Sequence, residues 1–295
     1  MHVLVTGGTG FIGSALVPEL LGAGHQVSVL TRRVPDSPPQ SFALVESPAH
    51  LPNPVDCVIN LAGASLAGRR WSRAYKDEIV RSRLETTRRL GEFFASADLP
   101  PSLWINASAV GYYGHQQDGL LDEHAPTGEG FAAQLCRDWE QEAVRAAGPG
   151  ARLCIARFGV VLDRDGGAYP QMALPFRFGV ANWIGDGDQW LSWVHRRDVV
   201  RALLLMVERE DMQGAFNVTA PLPVSSRGFC DAMEKVHRTF LRIPMPAFLM
   251  RAMVGEMADE LLIGGQRVEP GALEDAGFTF SFASLGFALR QIEGR

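Results

Sequence analysis

Seven residues, Gly7-Gly8-Thr9-Gly10-Phe11-Ile12-Gly13, join an apolar β-branched run, HVLVT at 2–6, to a stretch with helical apolar spacing from Phe11 to Leu21. A strand, a glycine turn and a helix in that order leave little freedom. Gly7 permits the tight turn, Gly10 lets backbone approach a pyrophosphate, and Gly13 lets helix and strand pack closely. The pyrophosphate then rests on the free N–H groups of the helix N-terminus. The downstream sequence repeats the alternation. QVSVLT (26–31), DCVINLA (56–62), SLWINAS (102–108) and RLCIARF (152–158) read as buried strands. Helical patterns cover Ser72 to Ala97 and residues 131–147, and the Pro-rich segment 32–40 reads as a surface loop. Strands alternating with helices specify an α/β fold, a Rossmann-type doubly wound parallel sheet with helices on both faces.

After about residue 165 the pattern loosens. Residues 166–193 are rich in Gly, Pro, Trp and Phe without clean periodicity, as in a loop region closing over a site. Residues 193–208 read as a helix, 215–219 as a strand, and the tail from Pro244 carries amphipathic helical pieces. The expected organisation is a dinucleotide-binding Rossmann domain over 1–165, with returning segments at about 193–220. A smaller C-terminal α+β substrate lobe then takes residues 166–192 and 221–295.

Charge and composition exclude several classes. The net charge is −5 and no block of Lys/Arg forms a phosphate-tracking stripe, which argues against nucleic acid and anionic membrane. No apolar span is long enough to cross a bilayer, and the opening run is interrupted by glycines too early for a signal peptide. Cys57, Cys136, Cys154 and Cys230 are scattered and read as buried free thiols in a reducing compartment, so the cytoplasm is expected. The histidines show no ligand spacing, and no metal is expected.

The second strand ends Leu30-Thr31-Arg32-Arg33, where an NAD site offers an acidic residue to the ribose hydroxyls. Two arginines replace it, and planar guanidinium groups suit an adenosine 2′-phosphate. The expected cofactor is therefore NADP; the plain alternative is a solvated pair at a loop start. Asn60-Leu61-Ala62-Gly63 closes another strand with small residues that would let the adenosine half lie against it, or that simply lead into a helix.

Together TGGTGFIG, NLAG, the serine before YYG and WVHRRDVV resemble the extended short-chain dehydrogenase/reductase superfamily. WSRAYKDEIVRSRLETT (71–87), CRDWE (136–140), ARFGVVL (156–162) and the tail at 261–289 narrow the resemblance. They are similar to the "epimerase family" of nucleoside-diphosphate-sugar epimerase-like proteins with a small C-terminal domain of unassigned function. The resemblance implies that Gly7, Gly10, Phe11, Ile12 and Gly13 hold the pyrophosphate, and Thr31 with Arg32 the 2′-phosphate end. Leu61 and Ala62 would lie along the cofactor, Glu78 and Arg83 face it from the next helix, and Val161 approach the nicotinamide side. A solvated pair of surface charges is the alternative for Glu78 and Arg83.

The superfamily's catalytic serine corresponds to Ser108, at the end of a strand. Its Tyr-x-x-x-Lys pair does not carry over: Tyr75, Tyr112, Tyr113 and Tyr169 are followed four residues later by Ile79, Gln116, Gln117 and Ala173. Without the lysine a tyrosine keeps a pKa of about 10 or higher, a poor base but a usable acid. Tyr112 or Tyr113 would then donate a proton during carbonyl reduction, unless both merely pack. Asp122, Glu123 and His124 read as solvated loop, and Asp198, behind His195, as a helix-dipole partner. Trp183, Trp190 and Trp193 form either a substrate wall or core. Three functions follow: an NADPH-dependent oxidoreductase acting on a small-molecule carbonyl substrate, a non-catalytic NADPH-binding sensor, and a nucleoside-diphosphate-sugar epimerase. A homodimer through the long helices is common in the superfamily.

Overall fold

HVLVT forms β1 (His2–Thr6), buried at every position as a central parallel strand should be. The computed structural model describes residues 1–294, with 117 and 118 described by backbone alone. The glycine turn leads into α1 (Gly13–Gly22), whose Gly13, Leu16, Val17 and Leu20 form the buried stripe of a helix lying on a sheet. The chain continues through β2 (Gln26–Leu30), β3 (Ala43–Val45), β4 (Cys57–Asn60) and the long α2 (Arg73–Ala95). Next come β5 (Leu103–Ala109), β6 (Gln116–Leu121), α3 (Phe131–Ala147) and β7 (Arg152–Phe158).

The later half opens with β8 (Val160–Asp163), β9 (Gly166–Gly167), α4 (Tyr169–Arg177), β10 (Val180–Ile184), β11 (Trp190–Leu191) and β12 (Trp193–His195). It returns to the main sheet through α5 (Arg196–Glu208) and β13 (Gly214–Val218). β14 (Val224–Ser225), α6 (Ser226–Glu234), β15 (Leu241–Met245), α7 (Ala247–Val254), β16 (Gln266–Val268), α8 (Gly271–Asp275) and α9 (Leu285–Glu293) complete it.

The main sheet has seven strands in the order β13-β7-β5-β4-β1-β2-β3, and every pairing within it is parallel. From β1 the chain runs outward through β2 and β3, then crosses to the other side at β4. Carboxyl ends of β1 and β4 therefore border the crevice where such sheets bind ligands. Helices α2 and α3 pack together, as do α1 and α5. Side chains such as Val5, Leu16, Ile59, Ile105 and Leu203 are fully buried between sheet and helices, each contributing about 1.5–3 kcal/mol.

A second core holds the smaller lobe together, built on Tyr169, Phe176, Trp193, Phe229, Met233, Leu285 and Leu289. Residues 166–192 are thus not an open loop: Pro175 and the glycines hide the period of α4 and β10, which pack into this core. The helix expected from 193 begins at Arg196. Residues 193–195 instead pair with β8, with Val194 opposite Val161, and His195 caps the helix by accepting from the Arg197 N–H at 3.1 Å. Burial lowers the His195 pKa, which keeps the ring neutral and able to accept. Trp193 is core, whereas Trp183 lies beneath Arg227 and Arg242 and Trp190 beneath Arg267, so the three tryptophans do not form one wall. All four cysteines are buried and free, and no helix among the described residues is long and apolar enough to cross a membrane.

Candidate functional site

The glycine turn sits at the crevice between β1 and β4. Gly7 has φ +67°, and a Cβ there would come within 2.8 Å of the Leu61 carbonyl oxygen, so both backbone conformation and space demand glycine. At Gly13 a Cβ would meet the Gly7 oxygen at 2.3 Å, which is how α1 starts so close to β1. Gly10 differs: a Cβ would meet only the Gly7 oxygen, at 3.1 Å, and otherwise project into open space. Phe11 and Ile12 N–H groups have no protein acceptor among the described residues. Open space above Gly10 and unspent donors at a helix start fit a dinucleotide's pyrophosphate. The Phe11 ring lies against Gly166 and Gly167, and the carbonyl of Val161, on β8, is beside Gly167.

At the end of β2, Thr31 is tied to the edge strand through its N–H and donates its hydroxyl to the Arg33 carbonyl at 3.1 Å. Arg32 and Arg33 are exposed. At the end of β4, a polar row crosses the sheet. Thr6 donates to Asn60 at 2.6 Å and Asn60 donates to Asn106 at 2.7 Å, while the Ala62 N–H donates to the Thr6 hydroxyl at 3.1 Å. This row fixes the Leu61–Gly63 turn. Arg83 is not a solvated surface charge: it is partly buried, donates to the carbonyls of Ala64 and Ile79, and lies 5.2 Å from the Trp139 ring centroid. Its guanidinium stands 2.8 Å from where a Cβ on Gly63 would be. Glu78 turns outward to Arg69, 3.8 Å away, and does not pair with Arg83.

Ser108, Arg157 and Asn217 stand opposite one another on β5, β7 and β13, and parallel register brings their side chains into one buried network. Ser108 donates to Glu140 at 2.6 Å; Arg157 grips Glu140 with Nε at 2.9 Å and Nη2 at 2.8 Å. Arg157 Nη1 donates to the Tyr113 hydroxyl at 2.9 Å, and that hydroxyl donates to Asn217 at 2.7 Å. Tyr112 lies flat on the guanidinium, with 3.6 Å from its ring centroid to the central carbon. The hydroxyl of Tyr113 is therefore spent inside the protein, and Tyr112, half-buried, is the one of the two at the edge of the network. Glu123 is also less solvated than its loop suggests, since it accepts from the N–H groups of Asn217 and Ala272.

Toward Ser108, α3 turns a stripe spaced by four residues: Ala132 beside Gly111, Cys136 within bonding reach of Ser108, and Glu140. Burial pushes the Cys136 thiol up to about 11, so it is not a nucleophile. This stripe presents a methyl, a thiol and a carboxylate toward Ser108, and no Tyr-x-x-x-Lys pair lies on it. The first turn of α3 is closed from the C-terminal lobe, where Glu260 accepts from the N–H groups of Phe131 and Ala132, both at 3.1 Å. Asp198 is fully buried and accepts from the N–H groups of Ser281 and Phe282, which makes it a tether for the C-terminal segment.

Glu140, Arg157, Asn217 and Glu260 are absent from the sequence expectations. CRDWE and ARFGVVL did mark the first two segments as features, but only register reveals the partners. The network has a measurable signature. Burial pushes Tyr113 up to about 12 against its ordinary 10, with Arg157 and Asn217 opposing. An unfolded tyrosine ionises first, so this contribution is complete below pH 10 and is lost between pH 10 and 12, a change of about 3 kcal/mol. Urea unfolding across that window should show the fall, and Tyr113→Phe should flatten it.

Comparisons with known proteins place this geometry. The pattern of the "NAD dependent epimerase/dehydratase family" matches residues 3–219, and that of a domain of unknown function (DUF1731) matches 245–292. An epimerase family protein of Mycobacterium leprae is 39% identical over 97% of this chain and 94% of its own. One from Staphylococcus aureus is 34% identical over 98% of each. Among solved structures, the human epimerase family protein SDR39U1, crystallised with NADPH, superposes with a TM-score of 0.89 at 34% identity over the whole of both chains. A nucleoside-diphosphate sugar epimerase from Corynebacterium glutamicum gives 0.78 at 29% identity, covering all of this chain and 58% of that one. The chain belongs to the NAD-dependent epimerase/dehydratase family of the extended short-chain dehydrogenase/reductase superfamily, in the form that carries this additional C-terminal domain.

Proposed function

We propose that the chain is an NADPH-dependent oxidoreductase that reduces a small carbonyl compound. The observation that carries this is the pairing of an open glycine turn at the switch point with Arg32 and Arg33, and no acid, at the end of β2. NADPH in the human relative's structure supports the same choice. Gly10 and the N–H groups of Phe11 and Ile12 would hold the diphosphate, Arg32 and Arg33 the 2′-phosphate, and Leu61 and Ala62 would lie along the adenosine half.

The bound dihydronicotinamide would supply a hydride to the carbonyl carbon. Ser108 spends its proton on Glu140 and so offers lone pairs to a substrate hydroxyl. Tyr112 is the better placed of the two tyrosines to donate a proton to the carbonyl oxygen. The buried free thiols suit a reducing compartment, which we take to be the cytoplasm.

A non-catalytic NADPH-binding role is the second reading, favoured by the Ala132-Cys136 stripe that leaves no Tyr–Lys pair. A nucleotide-sugar epimerase ranks third, because it must hold NAD and move a hydride both ways. The test mixes protein with NADPH or NADH and a panel of aldehydes, ketones, quinones and sugar nucleotides, following nicotinamide absorbance. We expect NADPH to be consumed and Tyr112→Phe to slow consumption at least tenfold. Tight NADPH binding with no turnover across the panel would move the conclusion to the binding role.

A further inference from the structure

Beside the residues assigned above, another cation reaches the glycine turn. Arg196 opens α5 and lies across Phe11, its guanidinium carbon 5.0 Å from the ring centroid. Nε is 3.0 Å from Asp163 and Nη2 is 3.0 Å from Asp165, while Nη1 has only a long contact, 3.5 Å, with the Phe11 carbonyl. One face of a cleft of about 450 Å³ is formed by Thr9, Gly10, Phe11 and Ser14, and the other by Asp165 and Arg196. That volume lies in the range of small-molecule sites.

We infer that Arg196 binds the diphosphate of the nicotinamide cofactor, and that Asp163 and Asp165 hold it in place beforehand. The inference rests on the cofactor reading above. Two carboxylates against one guanidinium leave a net negative charge beside a turn that must receive an anion, so one carboxylate has to yield. Asp165 is the one that yields: its side chain is 68% exposed, whereas that of Asp163 is 17% exposed, and an exposed ion pair is weakly held. Asp163 keeps the fork oriented while Nη1 and Nη2 turn to phosphate oxygens.

Topology says which phosphate. Arg196 arrives from β12, which pairs with β8 beyond β7. That is the opposite side of β1 from β2, where the adenosine end is expected, so the contact falls on the phosphate nearer the nicotinamide.

The test is a binding titration, read by calorimetry, of AMP, ADP, 2′,5′-ADP and NADPH to the unaltered chain and to Arg196→Gln, Arg196→Lys and Asp165→Asn. Arg196→Gln should weaken ADP and NADPH about tenfold, the loss of one charge-assisted contact, and leave AMP and 2′,5′-ADP unchanged. Arg196→Lys should recover part of the loss, and Asp165→Asn should tighten ADP severalfold. ADP binding undiminished in Arg196→Gln, or AMP weakened equally, overturns the inference alone. Should Arg196→Gln fail to fold, Asp165→Asn decides, and no tightening overturns it. An unaltered chain that binds none of the four ligands overturns the cofactor reading itself, and this inference with it.

Discussion

Replacing Glu140 with alanine is expected to destabilise the protein by about 3–5 kcal/mol, among the largest effects a single change can have here. The cause is the charge left behind. Arg157 is 5% exposed, and without Glu140 its Nε and Nη2 have no acceptor and no route to water. Ser108 loses its acceptor as well. Removing both charges tests the mechanism: Glu140→Leu with Arg157→Leu should cost markedly less than the two single changes added together, because no uncompensated ion remains. Urea unfolding with an unchanged slope is the measurement. A single variant costing under about 1 kcal/mol would mean that Arg157 finds solvent after all.

The second large effect is on binding. Gly10→Glu should leave the fold intact, since a Cβ at this position meets only the Gly7 oxygen and otherwise enters open space. The same space is where the diphosphate is expected, so the added bulk and negative charge should lower NADPH affinity at least about 100-fold, close to 3 kcal/mol. Gly13→Ala supplies the contrast. Its Cβ would be driven to 2.3 Å from the Gly7 oxygen and 2.5 Å from the Gly8 Cα, so it should unfold earlier, by about 1–3 kcal/mol or more. Calorimetric titration of NADPH beside a urea curve for each variant separates the two roles. Gly10→Glu binding NADPH normally would remove the diphosphate from this turn.

Much of the main sheet was legible because buried parallel strands are continuous apolar runs that end at the residues they present. HVLVT, DCVINLA, SLWINAS and RLCIARF all fall on the sheet. The three-residue edge strand Ala43–Val45 was not legible, being too short to carry a period. Residues 193–195 looked helical because the apolar spacing of α5 runs back into them, and only the pairing with β8 makes them a strand. The glycine turn was readable for the opposite reason, since a local backbone need writes itself into adjacent residues. The network around Ser108 has no such local trace: Arg157 meets Ser108 through the register of two strands, and meets Glu140 from 17 residues away across the packing of a helix on the sheet. A charged residue in an amphipathic helix such as α3 reads as solvated until its partner strand is in place. Tyr112 and Tyr113 were equivalent in the sequence, and only the loop's path decides that Tyr113 turns inward.

Glu260 closes the first turn of α3 from 129 positions downstream of Phe131. During synthesis the helix that flanks Ser108 therefore emerges long before the carboxylate that completes it. At translation speeds of about 5–20 residues per second that gap lasts on the order of ten seconds. Through this interval the α3 amides depend on water, and the nascent sheet must stay soluble without its finishing lobe. A chain released before residue 260 would never close that turn, so the helix beside Ser108 is completed only after the segment that carries Glu260 has been made.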